Sequence, residues 1–348
     1  MTEISEFCHE LKAQINPKKS RFDRPVAFWS EPDRYQDEII DAFVIILKTK
    51  GCSWAHESGC TMCGYFNDSA FTEISNEDLI SQFHTAMKSY NHEPVVKIFT
   101  SGSFLDPTEI NQTVQETIIR KLSKTSDKIA VESRPEYITQ SHLETCENHL
   151  SDSCLEVGIG LESANDTIRT FNINKGFSFK DYKKAAALLH KHHHLLKTYV
   201  LVKPPFLSEN QAIHDAVETI RLIDNITDTV SLNPTNVQKA TLVEYLWKQQ
   251  YYRPPWLWSI IEILKQGSKM TKKRLQCDVV GGGSSRGPHN CRNCNKPVLK
   301  NIRKFSLTQD TSDLSSIACD CKQQWHDQLT LEALSFGSFI DIQRGLIP

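Results

Sequence analysis

Six short runs of aliphatic and β-branched residues punctuate the chain: Phe43–Lys48, Val95–Thr100, Lys128–Glu132, Cys154–Gly160, Leu195–Val202 and Thr229–Leu232. Gly, Pro, Ser or Asp bounds each of them, as expected of strands. Between them, residues 76–89, 107–122, 140–148, 178–192 and 209–224 place apolar side chains at helical spacing. Ser75 ahead of Asp78, Ser178 ahead of Asp181 and Ser208 ahead of Gln211 read as N-terminal caps. Strands alternating with helices predict an α/β fold, a parallel sheet with helices outside. Phe43–Leu47 is apolar at every position, which suits a strand buried on both faces. A closed or partly closed barrel is the expected form.

The pattern changes at both ends. The first 40 residues are polar and charged, with one helix-like stretch over Phe7–Ile15. From Arg253 onward the chain becomes basic, then Gly-rich at Gly281–Gly283, then cysteine-rich. The expected division is an N-terminal extension over 1–40, a barrel over 41–250 and a small metal-binding module over 251–348.

Composition narrows the class. Of 348 residues, 39% are hydrophobic and 24% charged, as in soluble globular proteins. Neither a signal peptide nor a run of about 18 apolar residues is evident, so no membrane contact is expected. Eleven cysteines without a secretory signal argue for metal or redox chemistry in a reducing cytoplasm. Charge is uneven: residues 239–305 hold 14 Lys and Arg against 3 acids, leaving 26 against 39 elsewhere. A basic tail on an acidic body points to a polyanion such as RNA. Lysines solvating a small metal-held module are the plainer reading.

The cysteines fall into two sets. Cys52, Cys60 and Cys63 follow the first strand, on the loop that lies at the C-terminal mouth of such a barrel. Three thiolates can bind three irons of a [4Fe-4S] cluster and leave the fourth open to a ligand. Zinc with His56 as fourth ligand is the alternative. Cys291 and Cys294, with Cys319 and Cys321, have the spacing of a tetrahedral S4 site, expected to hold structural zinc. An auxiliary iron–sulfur cluster is the alternative there, with Cys277 or His289 as substitute ligands. His190 and His192–His194 read as a solvated helix end, and Cys8, Cys146 and Cys154 as buried thiols.

The cysteine loop, with Tyr65 and Phe66 just beyond it, resembles that of the radical S-adenosylmethionine (SAM) superfamily. The resemblance implies a partial (β/α)6 TIM-type barrel and a [4Fe-4S] cluster on Cys52, Cys60 and Cys63. It implies that the open iron chelates SAM, whose reductive cleavage yields a 5′-deoxyadenosyl radical. Seven residues separate Cys52 from Cys60, where three are common in the superfamily. Ser101, Gly102 and Ser103 stand where the superfamily has a Gly-Gly-Glu-like turn that meets the SAM amino group. Glu132 and Arg134 match positions that bind ribose or carboxylate. Gly158, Gly160 and Glu162 match the region that seats adenine, and the segment from Leu201 to Phe206 matches further adenine contacts.

Three segments narrow the resemblance: Glu132–Tyr137, Gly158–Asn165, and Arg286–Cys294 with Phe305–Asp310. Together they resemble the archaeosine-biosynthesis branch, the beta subunits of archaeosine synthases, over nearly the whole chain. Similarity to the catalytic subunit of Elongator covers the barrel only. The resemblance implies action on tRNA, with an alpha subunit that attaches lysine to preQ0 and a ferredoxin-like electron donor as partners. The reaction implied is cleavage of a C–N bond in that lysine adduct, leaving the formamidine of archaeosine. Two other readings stay open: radical chemistry on a different RNA base, and a non-catalytic zinc protein that binds RNA. Tyr251, Tyr252, Trp256 and Trp258 are candidates either for stacking on bases or for core.

Overall fold

The computed structural model describes residues 3–15, 21–315 and 317–334. Residues 335–348 of the expected C-terminal module therefore lie outside the described residues.

All six expected strands form. They are β2 (Glu38–Ile46), β3 (Val95–Phe99), β4 (Lys128–Glu132), β5 (Cys154–Glu162), β6 (Leu195–Val202) and β7 (Thr229–Pro234). Two more join them: β1 (Ala27–Tyr35), antiparallel to β2, and β8 (Arg274–Cys277), parallel to β7. These eight strands of the described residues lie in chain order in one sheet, with every pair from β2 onward parallel. The fold is α/β, a curled partial barrel whose sheet reaches beyond the 41–250 span on both sides. Gln36 and Asp37, both at positive φ (47° and 67°), make the tight turn between β1 and β2.

Helices fill the crossovers: α3 (Asn76–Met87), α4 (Gln112–Leu122), α5 (Gln140–Leu150), α6 (Phe179–Lys191), α7 (Glu209–Ile223), α8 (Leu242–Lys248) and α9 (Leu257–Met270). Ser75 caps α3, and Ser178 and Ser208 complete full capping boxes on α6 and α7. Before the sheet comes α1 (Glu3–Ala13); after β8 come α10 (Asn295–Thr308) and α11 (Cys321–Ala333).

The two faces of the sheet differ. Ile98, Val131, Val157, Leu196, Val230 and Leu275 point to the helices and are 2% exposed or less. The same core continues past residue 250 through Leu257, Trp258, Val298, Ile302, Phe305 and Trp325. Full burial of each such side chain is worth about 1.5–3 kcal/mol, so the tail is welded to the barrel. The concave face instead carries charge. Lys128 and Lys197 grip Glu156 at 3.0 and 2.9 Å, and Lys97 grips Asp33 at 2.9 Å. Burial alone would push Glu156 up, but Lys197 and Lys128 hold it at about 2. Arg274 on β8 pairs with Asp33 on β1 and donates to the Arg34 carbonyl at 2.5 Å, so one side chain spans the two sheet edges. These groups sit on the N-terminal half of the parallel strands and plug that end.

One acid outside this network gives a pH test. The Ser163 hydroxyl donates to Asp215 on α7 at 2.7 Å, while among the described residues the other, buried Asp215 oxygen has no partner. Burial raises Asp215 to about 7, against the pull of Ser163 and Arg169. A folded value above the unfolded one means that the contribution is full below about 4 and lost as pH rises through 7. Asp215→Asn should therefore gain on the parent between pH 4 and 8, by roughly 1–3 kcal/mol in urea unfolding. Parallel pH profiles would contradict this.

Candidate active site at the mouth of the barrel

The loop after β2 carries Cys52, Cys60 and Cys63. The seven-residue gap is filled by a short helix, α2 (Ser53–Glu57), for which Cys52 is the N-cap. Its carbonyl accepts from the amides of Ala55 and His56 at 2.9 and 3.2 Å. The rest of the loop is stitched to the segment after β5. Thr61 donates from its amide to the Ile173 carbonyl (2.9 Å) and from its hydroxyl to that of Asn172 (2.7 Å). The Asn174 side-chain amide donates to Ser58 Oγ and the Gly59 carbonyl, both at 2.8 Å. Trp54 Nε1 donates to the Asn174 carbonyl at 2.7 Å. The Gly64 amide donates to the side-chain oxygen of Gln238, beyond β7.

Burial pushes the Cys52 thiol up to about 12, with Arg134 opposing, and raises Cys60, with Lys175 opposing. Two cations thus face thiols that must ionise to bind metal. Arg134 lies between the rings of Trp54 (5.6 Å) and Phe177 (5.4 Å) and donates to the Lys175 carbonyl at 3.0 Å. It also pairs with Glu136. Lys175 pairs with Glu162 at 2.8 Å. Glu162 holds φ +68° at a shift in the β5–β6 register, a strained bulge of the kind found at functional sites.

The other strand ends meet the same mouth. Gly102 lies so close to the loop that a Cβ there would stand 2.7 Å from the Cα of Cys52 and overlap the Glu109 carboxylate. Ser101 donates to the Tyr65 carbonyl at 3.1 Å. Ser103 accepts from the Arg134 amide at 3.0 Å through its hydroxyl, and its own amide donates to Glu109 at 2.6 Å. Burial raises Glu109 to about 7, against donors that include Thr49. Glu132 is raised by burial, with Tyr199 donating to it. Gly158 leaves room for Tyr199 and Glu132, and Gly160 for Glu162 and Lys175.

A second group lies at the start of α10. The sulfurs of Cys291, Cys294, Cys319 and Cys321 lie within 4.8 Å of one another, with neighbouring pairs at 3.5–3.6 Å. The group could hold a metal ion. Burial would raise the Cys291 thiol, but the Cys294 amide and adjoining thiols bring it down to about 7. Among the described residues no other set of three such ligands is so tight. Cys277 and His289 stand outside it; the His289 ring engages the Gly287 carbonyl at 2.8 Å.

No family model matches the chain. It is 42% identical over 334 residues to the archaeosine synthase subunit beta of Methanosarcina acetivorans, spanning 94% of this chain and 96% of that protein. The chain belongs to the family of archaeosine synthase beta subunits. The beta subunit from Thermococcus kodakarensis is 37% identical over 308 residues, 86% of this chain and 95% of that one. Among solved structures, methylornithine synthase overlaps 79% of this chain and 72% of its own at a TM-score of 0.49 and 11% identity.

For this archaeosine synthase beta-type chain, several expectations take definite form. The His56 ring engages the Lys50 carbonyl (3.1 Å) and stands perpendicular to the Phe66 ring at 4.8 Å. Met62, between Cys60 and Cys63, packs into apolar clusters with Val237 and Leu201, whereas Tyr65 is 55% exposed. Tyr252 and Trp258 are core; Tyr251, 80% exposed, is free to stack. His190 engages Asp228, and His192 and His194 lie beside Glu147, at a helix end. Sequence reasoning missed Glu109, Lys175, Tyr199 and Gln238. Lys175 and Gln238 lie in connecting loops with no pattern to mark them. Glu109 lies in the loop between β3 and α4, within the stretch read as helical from residue 107, and Tyr199 shows only as one residue of β6.

Among the described residues no helix is long and apolar enough to cross a membrane.

Proposed function

We propose that the chain is a radical SAM enzyme of tRNA modification, cleaving a C–N bond in a lysine adduct of preQ0 to leave the formamidine of archaeosine. One observation carries the reading: in a beta-subunit chain, three thiols and two cations gather at the barrel mouth. The donor set fits a cluster better than a single ion. A lone zinc wants a fourth ligand, and His56, the nearest candidate in the loop, is engaged by the Lys50 carbonyl at 3.1 Å, whereas a [4Fe-4S] group on three thiolates keeps its fourth iron open. Cys52, Cys60 and Cys63 would hold the [4Fe-4S] group; with SAM it supplies a hydrogen-abstracting radical. The backbone around Ser101–Ser103 and the Arg134 guanidinium suit the amino and carboxylate ends of SAM. Glu132 suits ribose hydroxyls. Gly158, Gly160 and Glu162 frame the adenine side. The C-terminal sulfurs, near 3.5 Å apart, suit one tetrahedral zinc rather than a second cluster. A ferredoxin-like donor would feed electrons, and the lysine-transferring alpha subunit would supply substrate.

The test is mass spectrometry of nucleosides from tRNA carrying the lysine adduct, after incubation with reduced protein and SAM. Archaeosine should replace the adduct; an unchanged adduct alongside consumed SAM would move the chemistry to another substrate.

RNA contact has its own footprint. Arg292, Lys296, Lys300 and Arg303 recur at three- and four-residue spacing at the start and along the outside of α10, all exposed. Neutralising all four should weaken tRNA binding at least ~10-fold at low salt and flatten the salt dependence by about 3 in log–log slope. An unchanged slope would remove this helix from the interface.

A further inference from the structure

Helix α1 belongs to no crossover, yet it docks on the back of the cysteine loop. Ser5 and Ser58 share a hydroxyl contact at 2.6 Å, and Ser58 also donates to the Ser5 carbonyl at 2.9 Å. Phe7 meets Tyr245 of α8 edge-on at 5.3 Å. Lys12, 6% exposed, runs along Gly59 and donates from Nζ to the Cys63 carbonyl at 3.0 Å. Gly59 has φ +94°, and a Cβ there would overlap the Lys12 stem, so the loop is shaped to admit this side chain.

The other two cations of the site have acids: Lys175 has Glu162 and Arg134 has Glu136. Among the described residues, Lys12 has no carboxylate in ion-pair reach. Its further neighbour is the Phe66 ring, 5.9 Å from the ammonium. A buried ammonium needs a counter-charge. Three thiolates around an iron–sulfur group would bring one, and added negative charge on reduction would strengthen the attraction.

We propose that Lys12 is a positioning residue for the cluster, tying Cys63 to the N-terminal helix and favouring the reduced state through its charge. This rests on Cys52, Cys60 and Cys63 holding a cluster. It accounts for the N-terminal extension as part of the redox site.

The experiment uses full-length protein reconstituted without oxygen, comparing the parent with Lys12→Met and Lys12→Arg. The readouts are iron lost on Cys60→Ala, the electron paramagnetic resonance signal of the reduced form, and its midpoint potential. Lys12→Met should shift the midpoint to more negative values, lowering the reduced-to-oxidised ratio at a fixed potential about tenfold (59 mV for one electron). Lys12→Arg should restore it. An unshifted midpoint in Lys12→Met with full iron would overturn the proposal. Should Lys12→Met lose iron, recovery by Lys12→Arg supports it; loss in both variants, with melting temperatures like the parent's, overturns it. A parent lacking Cys60-dependent iron defeats the cluster reading itself, a failure visible before any Lys12 variant is measured.

Discussion

Cys60→Ala should abolish production of 5′-deoxyadenosine from SAM and reductant, by at least ~10³-fold. Outer-shell changes at metal sites cost about 10–100-fold, and loss of a ligand should exceed that. Cys60 is the middle of the three thiols, facing Lys175, Cys63 and Arg134. On the proposed reading, its removal would leave two thiols to hold a group that needs three. Folding should be spared, because the loop is fastened by Thr61, Asn174 and Gln238 rather than by this sulfur. The decisive measurement pairs chromatography of 5′-deoxyadenosine with iron content and a melting curve. Undiminished SAM cleavage in a folded Cys60→Ala protein would contradict the assignment of the loop.

Cys294→Ser should act on stability. The four sulfurs join the start of α10 to the start of α11, and two of them, Cys294 and Cys321, are buried in the main core. Trp258 donates to Cys321 Sγ at 3.4 Å, and Trp325 to Ser259 at 2.8 Å, so α9 is tied in as well. Structural zinc sites release about 10–16 kcal/mol on binding in small peptides. Here the apolar core shares the burden, so a loss of roughly 3–5 kcal/mol is expected, or on the order of 5–15 °C in melting temperature. Calorimetry with metal analysis reads this directly. Cys277→Ser, at a buried cysteine outside the group, should retain the metal. Equal metal content in parent and Cys294→Ser would refute a tetrathiolate site.

Much of the architecture was legible because strand and helix periods are local. The six strands and three serine caps needed no tertiary information. The two missed strands have physical reasons. β1 reads Ala-Phe-Trp-Ser-Glu-Pro-Asp-Arg-Tyr: its proline cannot donate to a ladder, and it is tolerated because β1 is an edge. β8 has only four residues and no alternation long enough to detect. The boundary expected near residue 250 reflected a change in composition, but the core runs across it through Leu257, Val298 and Phe305. At the site, cysteines and glycines advertise themselves by type and spacing. Lys12, Lys175 and Gln238 do not, because their roles arise from where distant segments meet.

The charged plug of Lys97, Lys128, Glu156, Lys197 and Asp33 makes the lumen a vessel with a floor. On the proposed reading, a small sulfonium donor seated deep must board before a bulky polymer covers the opening, and its spent halves wait until that polymer departs. Turnover would then be an ordered queue, with the macromolecule last in and first out.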